Sequence, residues 1–283
     1  ADAPKLISTG GVTITGTTGT TSSGHQGISI GYADLDSGSA TITMTSSRRV
    51  DFAAANTIRS RFNLSTSTGV VRVSANQNWG VSSTGTVARI TAAEGITISG
   101  QVSASGNVEF TSTTGSFTTT SALTTTGANG QILVTADSVD LGAAVATSSS
   151  NGVVTLAPRT SNRPFDLGSE TSSRVSLTSA EINRVSAGTL RIGALNGSNS
   201  GDILVTAAIA PTGVSTLALR TTGIVESSGS GSITEVNLAI SAAYINLQGN
   251  NSITGNLALS SANATLNYNQ ISGSFTPATV DQV

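Results

Sequence analysis

Few side chains in this 283-residue chain carry groups suited to acid–base, metal or nucleophilic chemistry. The chain has no cysteine, and its single histidine, His25, lies in a glycine-rich turn. One histidine could serve a hydrolase triad, but no Gly-x-Ser-x-Gly elbow accompanies it. We therefore predict no catalytic residue and no cofactor.

The acidic residues offer two further kinds of chemistry. Asp34 and Asp36 lie two residues apart and would share one side of a strand. They could contribute to a calcium site, which needs about six to eight oxygen ligands, but the repeated glycine–aspartate calcium pattern is absent. We interpret both as turn caps and predict no metal site. Asp137, Asp140 and Asp166 could support glycan cleavage only if the fold brought them together beside a basic residue.

The remaining candidates would bind rather than react. Arg48 and Arg49, with Arg59 and Arg61 close behind, form a basic group that could contact an anionic glycan. Trp79 follows three polar residues, and an exposed tryptophan can stack on a sugar ring. A solvated, partly paired surface is the alternative for the arginines, and packing over an edge is the alternative for the tryptophan. We predict a weak glycan contact at Trp79, Arg48 and Arg49.

The elements that must position these residues are strands. Only 10% of the residues are charged and 4% are aromatic, whereas 37% are hydrophobic, with 31 glycines and 5 prolines. Valine, isoleucine, leucine and threonine recur in short alternating runs, which favour a pleated surface over disorder or helix. The net charge of −2 implies no broad basic surface, so we predict no nucleic-acid partner.

Repeats indicate how the strands are arranged. Val108, Ile132, Val153 and Val175 begin similar runs at intervals of 24, 21 and 22 residues, a period typical of solenoids. We predict one all-β domain over residues 1–283, a right-handed parallel β-helix. At roughly 22 residues and 4.8 Å per coil it would have about 13 coils and a length of roughly 60 Å. A β-sandwich is the competing all-β fold, but the sparse hairpin loops favour the solenoid.

Two regions are expected to depart from the regular coil. Residues 157–185 carry two prolines and several arginines, which predicts a loop excursion with a brief helical turn at 179–184. Neither end of the chain shows an amphipathic helical cap, so we predict head-to-tail self-association that depends on residues 275–283.

The middle of the chain resembles a known family. Residues 177–193 read Leu-Thr-Ser-Ala-Glu-Ile-Asn-Arg-Val-Ser-Ala-Gly-Thr-Leu-Arg-Ile-Gly, and this phrase and residues 201–210 and 215–223 are similar to filamentous haemagglutinin-like exoproteins. The resemblance covers roughly residues 130–223. It implies a long β-helix, export through a dedicated outer-membrane partner, and adhesion, biofilm cohesion or toxin delivery. It supplies no catalytic motif.

Three functions follow as expectations. The first is a secreted, non-catalytic adhesin or scaffold segment at a bacterial cell surface, whose partners are host or matrix molecules or glycans. The second is a self-assembling subunit of an extracellular fibre or sheath. The third is a carbohydrate-active β-helix enzyme, which would need a cluster of carboxylates along one groove.

Overall fold

The protein winds as a parallel β-solenoid of about 11 turns, with 58% strand and 2% helix. The computed structural model describes residues 5–7, 12–16, 27–80, 85–193, 200–263 and 265–283. The predicted all-β, parallel β-helix is confirmed. The expected 13 coils are a slight overestimate because some turns are longer than 22 residues: Val154 pairs with Leu190, 36 residues further along the chain.

Each turn has three faces, which the chain visits in the order face 1, face 2, face 3, and paired strands run parallel. Face 1 contains β1 (Lys5–Ile7), β4 (Ala33–Asp36), β7 (Asn56–Ile58), β10 (Gln77–Trp79), β13 (Val102–Ala104), β16 (Leu123–Thr125), β19 (Val145–Thr147), β25 (Ala208–Ile209) and β28 (Ser232–Glu235).

Face 2 is the longest ladder of the solenoid. It contains β2 (Val12–Gly16), β5 (Ile42–Ser46), β8 (Phe62–Thr66), β11 (Thr86–Ala92), β14 (Asn107–Ser112), β17 (Gln131–Thr135), β20 (Val153–Ala157), β23 (Val185–Gly193), β26 (Val214–Arg220), β29 (Asn237–Ala242), β31 (Asn256–Ser261) and β33 (Thr276–Pro277). The first residues of β23 also pair with β19 of face 1.

Face 3 closes each turn. It contains β3 (Ile28–Ile30), β6 (Val50–Phe52), β9 (Val70–Val73), β12 (Gly95–Ile98), β15 (Ser116–Thr119), β18 (Val139–Leu141), β21 (Phe165–Gly168), β22 (Val175–Thr178), β24 (Ile203–Val205), β27 (Ile224–Ser227), β30 (Tyr244–Ile253) and β32 (Leu266–Ser272). The end of β30 turns the corner and pairs with β28 of face 1.

The core is a set of columns formed by inward side chains of successive turns. Alternate residues of a strand point to opposite sides, so that in β5 Ile42, Met44 and Ser46 are buried and the two threonines between them are exposed. Each fully buried Val, Leu or Ile stabilises the fold by roughly 1.5–3 kcal/mol. One column of face 2 runs through Ile14, Met44, Leu64, Ile90, Phe110, Val134, Leu156, Ile192, Leu219, Ile240 and Leu259.

The predicted repeat is correct for its first interval and then fails. Val108 pairs with Ile132 in face 2, as the spacing indicates. The next member of the column is Val154 rather than Val153, because the turn from Ile132 is one residue longer than predicted. Val175 belongs to face 3 instead, in β22.

Trp79 is a core residue, so its predicted role in stacking on a sugar is wrong. Its exposed fraction is 0%. Two of the three polar residues before Trp79 belong to β10, in which Gln77 and Trp79 both point inward and Asn78 points out. The amide of Gln77 donates to two backbone carbonyls, which allows a polar side chain to be buried beside the indole. The rings that contact Trp79 are those of Phe62, Phe52 and Phe110, with centroid distances of 5.2, 5.8 and 6.3 Å.

Residues 157–185 are not a single loop outside the coil. Only residues 158–164, 169–174 and 183–184 lack strand or helix, and the strands β21 and β22 within the segment belong to face 3. The strands of face 3 stack here in the order β22, β21, β24. β22 therefore lies before β21 in the stack, although it follows β21 in the chain. The predicted helical turn is confirmed as α1 (Ser179–Ile182). No helix in the described ranges is long and apolar enough to cross a membrane.

After β33, the last residues, 278–283, form a strap along the outside of face 2. Asp281 lies 2.5 Å from a guanidinium nitrogen of Arg191 and 2.9 Å from one of Arg220. The strap therefore covers an outer surface and leaves the end of the core uncovered, where Leu266 is 44% exposed. Its apolar contacts join Val280 and Val283 to the outward column of Ala218, Ala239 and Ala258.

One carboxyl group points into the core. Glu235 occupies an inward position at the end of β28 and is 5% exposed. Its Oε1 accepts a hydrogen bond from the Val236 N–H at 2.8 Å, and its Oε2 is buried without a hydrogen-bond partner among the described residues. Burial raises the pKa of Glu235 to about 7.

We predict that replacing Trp79 with alanine destabilises the protein by roughly 3–5 kcal/mol, because it leaves a cavity among three aromatic rings. Denaturant unfolding measures the loss, and Tyr32→Ala, at a position 68% exposed, is the control expected to cost under about 0.5 kcal/mol. Since Trp79 is the only tryptophan, its fluorescence reports the same site. Emission quenched by iodide as fully as free tryptophan would contradict the buried position.

We predict that Glu235 makes stability fall with pH. The pKa of Glu235 in the folded protein, about 7, lies above the ordinary value of 4.5. The stability that the protonated carboxyl group contributes is therefore present in full below pH 4.5 and is lost as the pH rises through 7. In Glu235→Gln the loss is abolished, and the difference in unfolding free energy between variant and parent should change by about 3 kcal/mol between pH 4.5 and 8. Urea unfolding at several pH values measures this, and parallel pH profiles would contradict it.

Candidate ligand-binding groove

An outward concavity lined by polar side chains and glycines follows the corner between face 1 and face 2. Two adjoining cavities of about 280 and 350 Å³ meet at Gly85 and together form what we call the corner groove. It crosses the turns that contain β5, β8, β11, β14 and β17. The arginine and amide side chains that line it are those of Arg61, Asn63, Arg89, Asn107, Asn129 and Gln131.

Glycines make the floor of the corner groove. A Cβ atom at Gly106 would lie 2.3 Å from the carbonyl oxygen of Gly85, and one at Gly127 would lie 2.6 Å from that of Ser105. Successive turns therefore approach each other at this corner more closely than any side chain allows. The result is a bare backbone surface between polar walls, which a ligand can approach closely.

Three interactions fix part of the groove wall. Arg89 Nε lies 2.7 Å from Glu109 Oε2 on the next turn, and this hydrogen bond, with the attraction of the carboxylate, raises the pKa of Arg89. Thr86 also donates to Glu109, at 3.1 Å. On the following turn the Asn107 Oδ1 accepts the backbone N–H of Gln131 at 3.0 Å, which orients the amide of Asn107. The surface ion pair adds little stability, so its main effect is to set the charge of the wall.

The predicted basic group is divided by the fold. Arg48 is exposed and Arg49 half-buried on the connection from β5 to β6, on the other side of face 2 from the corner groove. Arg59 Nε pairs with Asp34 Oδ1 at 2.9 Å. Arg61, which the sequence grouped with the others but did not single out, is exposed and lines the groove.

The aspartates considered for calcium are used by the fold. The Asp34 carboxylate binds Arg59, and Asp36 Oδ1 accepts the Gly38 N–H at 2.9 Å, as expected of a turn cap. Asp137 accepts two backbone N–H groups of the connection after β20. In the part of the chain that the structure describes, no three His, Cys, Asp or Glu side chains are placed to hold a metal ion. His25 lies outside the described residues.

Four carboxylates do come together where β21 and β22 reverse their order. Partial burial raises the pKa of Glu170, and the neighbouring Glu181, Asp140 and Asp166 raise it further. Glu181 already accepts the N–H and hydroxyl of Thr178 and a backbone N–H of β18. The buried Asp166 likewise accepts hydroxyl groups of the connection to β22 and of the next turn. These bonds hold the reversed strands together, and none of the four residues lines the corner groove.

The sequence pointed to arginines and a tryptophan but missed the amides of the groove. Asn107, Asn129 and Gln131 lie at or just before the start of a face 2 strand. The sequence feature that marks these amides is the recurrent Gly/Asn turn before each strand, and by itself such a turn indicates only a connection. Knowing which turns stack on one another is required to see that they line one surface.

Comparisons with known proteins assign this chain to no family. No family model, no curated protein and no solved structure matches it.

Proposed function

We propose that this chain is a non-catalytic adhesin or scaffold segment of a secreted bacterial surface protein, and that it binds a surface or matrix polymer. The observation that carries the proposal is the corner groove: an open, glycine-floored groove, lined by arginine and amide side chains, that runs across several turns instead of closing around a small molecule. A solenoid of about 11 turns spans roughly 50 Å, so its outer surface can contact an extended partner along its length.

The extracellular setting rests on the sequence. Residues 130–223 resemble filamentous haemagglutinin-like exoproteins, and that resemblance implies export through an outer-membrane partner. The absence of cysteine is compatible with export because a long stacked core needs no disulfide to be stable. Host or matrix glycans are the partners that the groove chemistry suits best, since amides and guanidinium groups hydrogen-bond to sugar hydroxyls and carboxylates.

We predict binding without cleavage. The full chain should bind a polysaccharide saturably, while reducing ends and unsaturated products stay at the level of a protein-free control. The matched variant is Glu170→Gln in the carboxylate cluster, which should bind as the parent does because Glu170 lies outside the groove. Co-sedimentation and a reducing-sugar assay measure the two quantities.

Two results would count against this function. Products that accumulate with the parent and vanish with Glu170→Gln would favour the carbohydrate-active enzyme. A chain that binds no polysaccharide, no bacterial surface and no host matrix would leave the adhesin without support.

A self-assembling fibre subunit is the second candidate, and a separate observation favours it. The turn containing β32 exposes apolar side chains: Leu266 by 44%, Ile271 by 59% and Phe275 by 39%. Charge is also uneven along the axis. Residues 27–93 hold six arginines and three aspartates, whereas residues 94–283 hold six arginines and eleven acidic residues. A second copy stacked head to tail would cover the apolar turn and bring opposite charges together.

We predict that association of the chain grows with concentration and that Ile271→Ser weakens it at least about tenfold by removing apolar contact area. Val236→Ser is the control, because Val236 is similarly exposed, by 50%, but lies on the side of the solenoid. Sedimentation equilibrium measures both variants. A parent that stays monomeric at millimolar concentration, or an equal effect of the two substitutions, would contradict head-to-tail stacking.

A further inference from the structure

We infer that the ligand of the corner groove is an acidic polysaccharide of sparse charge, a uronic acid polymer, and that it lies along the solenoid axis with a carboxylate on Arg61. This inference rests on the proposed binding function and names its ligand class. It draws on two features of the groove: its charge and its direction.

Arg61 supplies the uncompensated charge. Its neighbours in sequence and in the groove are paired, Arg59 with Asp34 and Arg89 with Glu109. Arg61 is exposed, lines the groove and forms no ion pair with any residue of the described ranges. A guanidinium group presents a planar pair of donors that matches a carboxylate, so this side chain is suited to one acidic group of a ligand.

The direction of the groove selects a linear ligand. Arg61 directly precedes β8, and Gln131 starts β17, three turns further along face 2. At about 4.8 Å per turn these side chains are separated by roughly 14 Å along the axis. Asn107 lies between them on the turn that begins with β14. A single sugar cannot reach all three residues, whereas several linked sugars can.

The charge around the groove selects a sparse anion over a dense one. Residues 27–93 have an excess of three positive charges, which attracts an anionic chain at long range. Within the groove, however, Glu109 balances Arg89, so one guanidinium charge remains for the ligand. A heavily sulfated chain or a nucleic acid would bring more negative charge than the groove neutralises, and none of the described residues that line the groove is an aromatic one on which bases could stack.

The test is calorimetric titration of the full chain with a hexamer of a 1,4-linked uronic acid and with its carboxyl-reduced counterpart. The parent should bind the acidic hexamer, and the reduced hexamer should bind at least about tenfold more weakly, since a charge-assisted hydrogen bond is lost. Arg61→Gln should lose a similar factor for the acidic hexamer and nothing for the reduced one. Arg61→Lys should recover part of the affinity, because it restores the charge without the planar fork.

Arg72→Gln is the matched control, since it removes the same charge from an exposed position in β9 of face 3. It should keep affinity within about twofold of the parent, as expected when long-range attraction alone changes. Gln131→Ala tests the length of the site. It should weaken binding of the hexamer severalfold and leave binding of a uronate dimer unchanged.

Equal losses in Arg61→Gln and Arg72→Gln, or equal affinity for acidic and reduced hexamers, would overturn the inference. Tighter binding of heparin or of a DNA oligonucleotide than of the uronate hexamer would overturn it as well. If the chain binds bacterial or host surfaces but not the uronate hexamer, the proposed function survives and this ligand assignment fails. If it binds neither, both fail.

Discussion

In-register stacking of parallel turns is the constraint on which the rest of this structure depends. Each residue of a strand lies about 4.8 Å from its counterparts on the turns before and after it. Inward positions must therefore be apolar in column after column, and like charges in one outward column would repel at short range. This explains why only 10% of the residues are charged and why threonine and serine occupy so many outward positions.

The same constraint decides what the sequence could predict. Alternation and spacing were enough for strand type, parallel stacking and the register of Val108 on Ile132, because those features are local and repeated. They failed where a turn changes length, as before Val154, and where two strands exchange places in the stack, as between Phe165 and Val175. A period averaged over the chain contains no information about such single events.

Trp79 shows a second reason for failure. A polar run normally indicates an exposed segment, but here the polarity of Gln77 is satisfied by backbone carbonyls inside the coil. Burial of the amide depends on carbonyls from the preceding turn as well as its own, and so on long-range contacts that no local pattern contains. The groove escaped prediction for the same reason: its walls come from residues about 20–25 positions apart that only the stacking brings together.

Stacking also indicates which charged residues need another explanation. Arg89 faces Glu109 on the next turn, Arg59 binds Asp34 on the previous turn, and Asp281 of the strap lies between Arg191 and Arg220. In these cases a charge is placed where the neighbouring turn or the strap supplies its partner. Arg61 forms no ion pair with a described residue and lies at the corner where glycines leave the backbone bare. Arg72 is also exposed and in no ion pair with a described residue, but it lies on face 3, away from the corner groove. The position of Arg61 in the groove is therefore what makes it the arginine at which a partner from outside is expected.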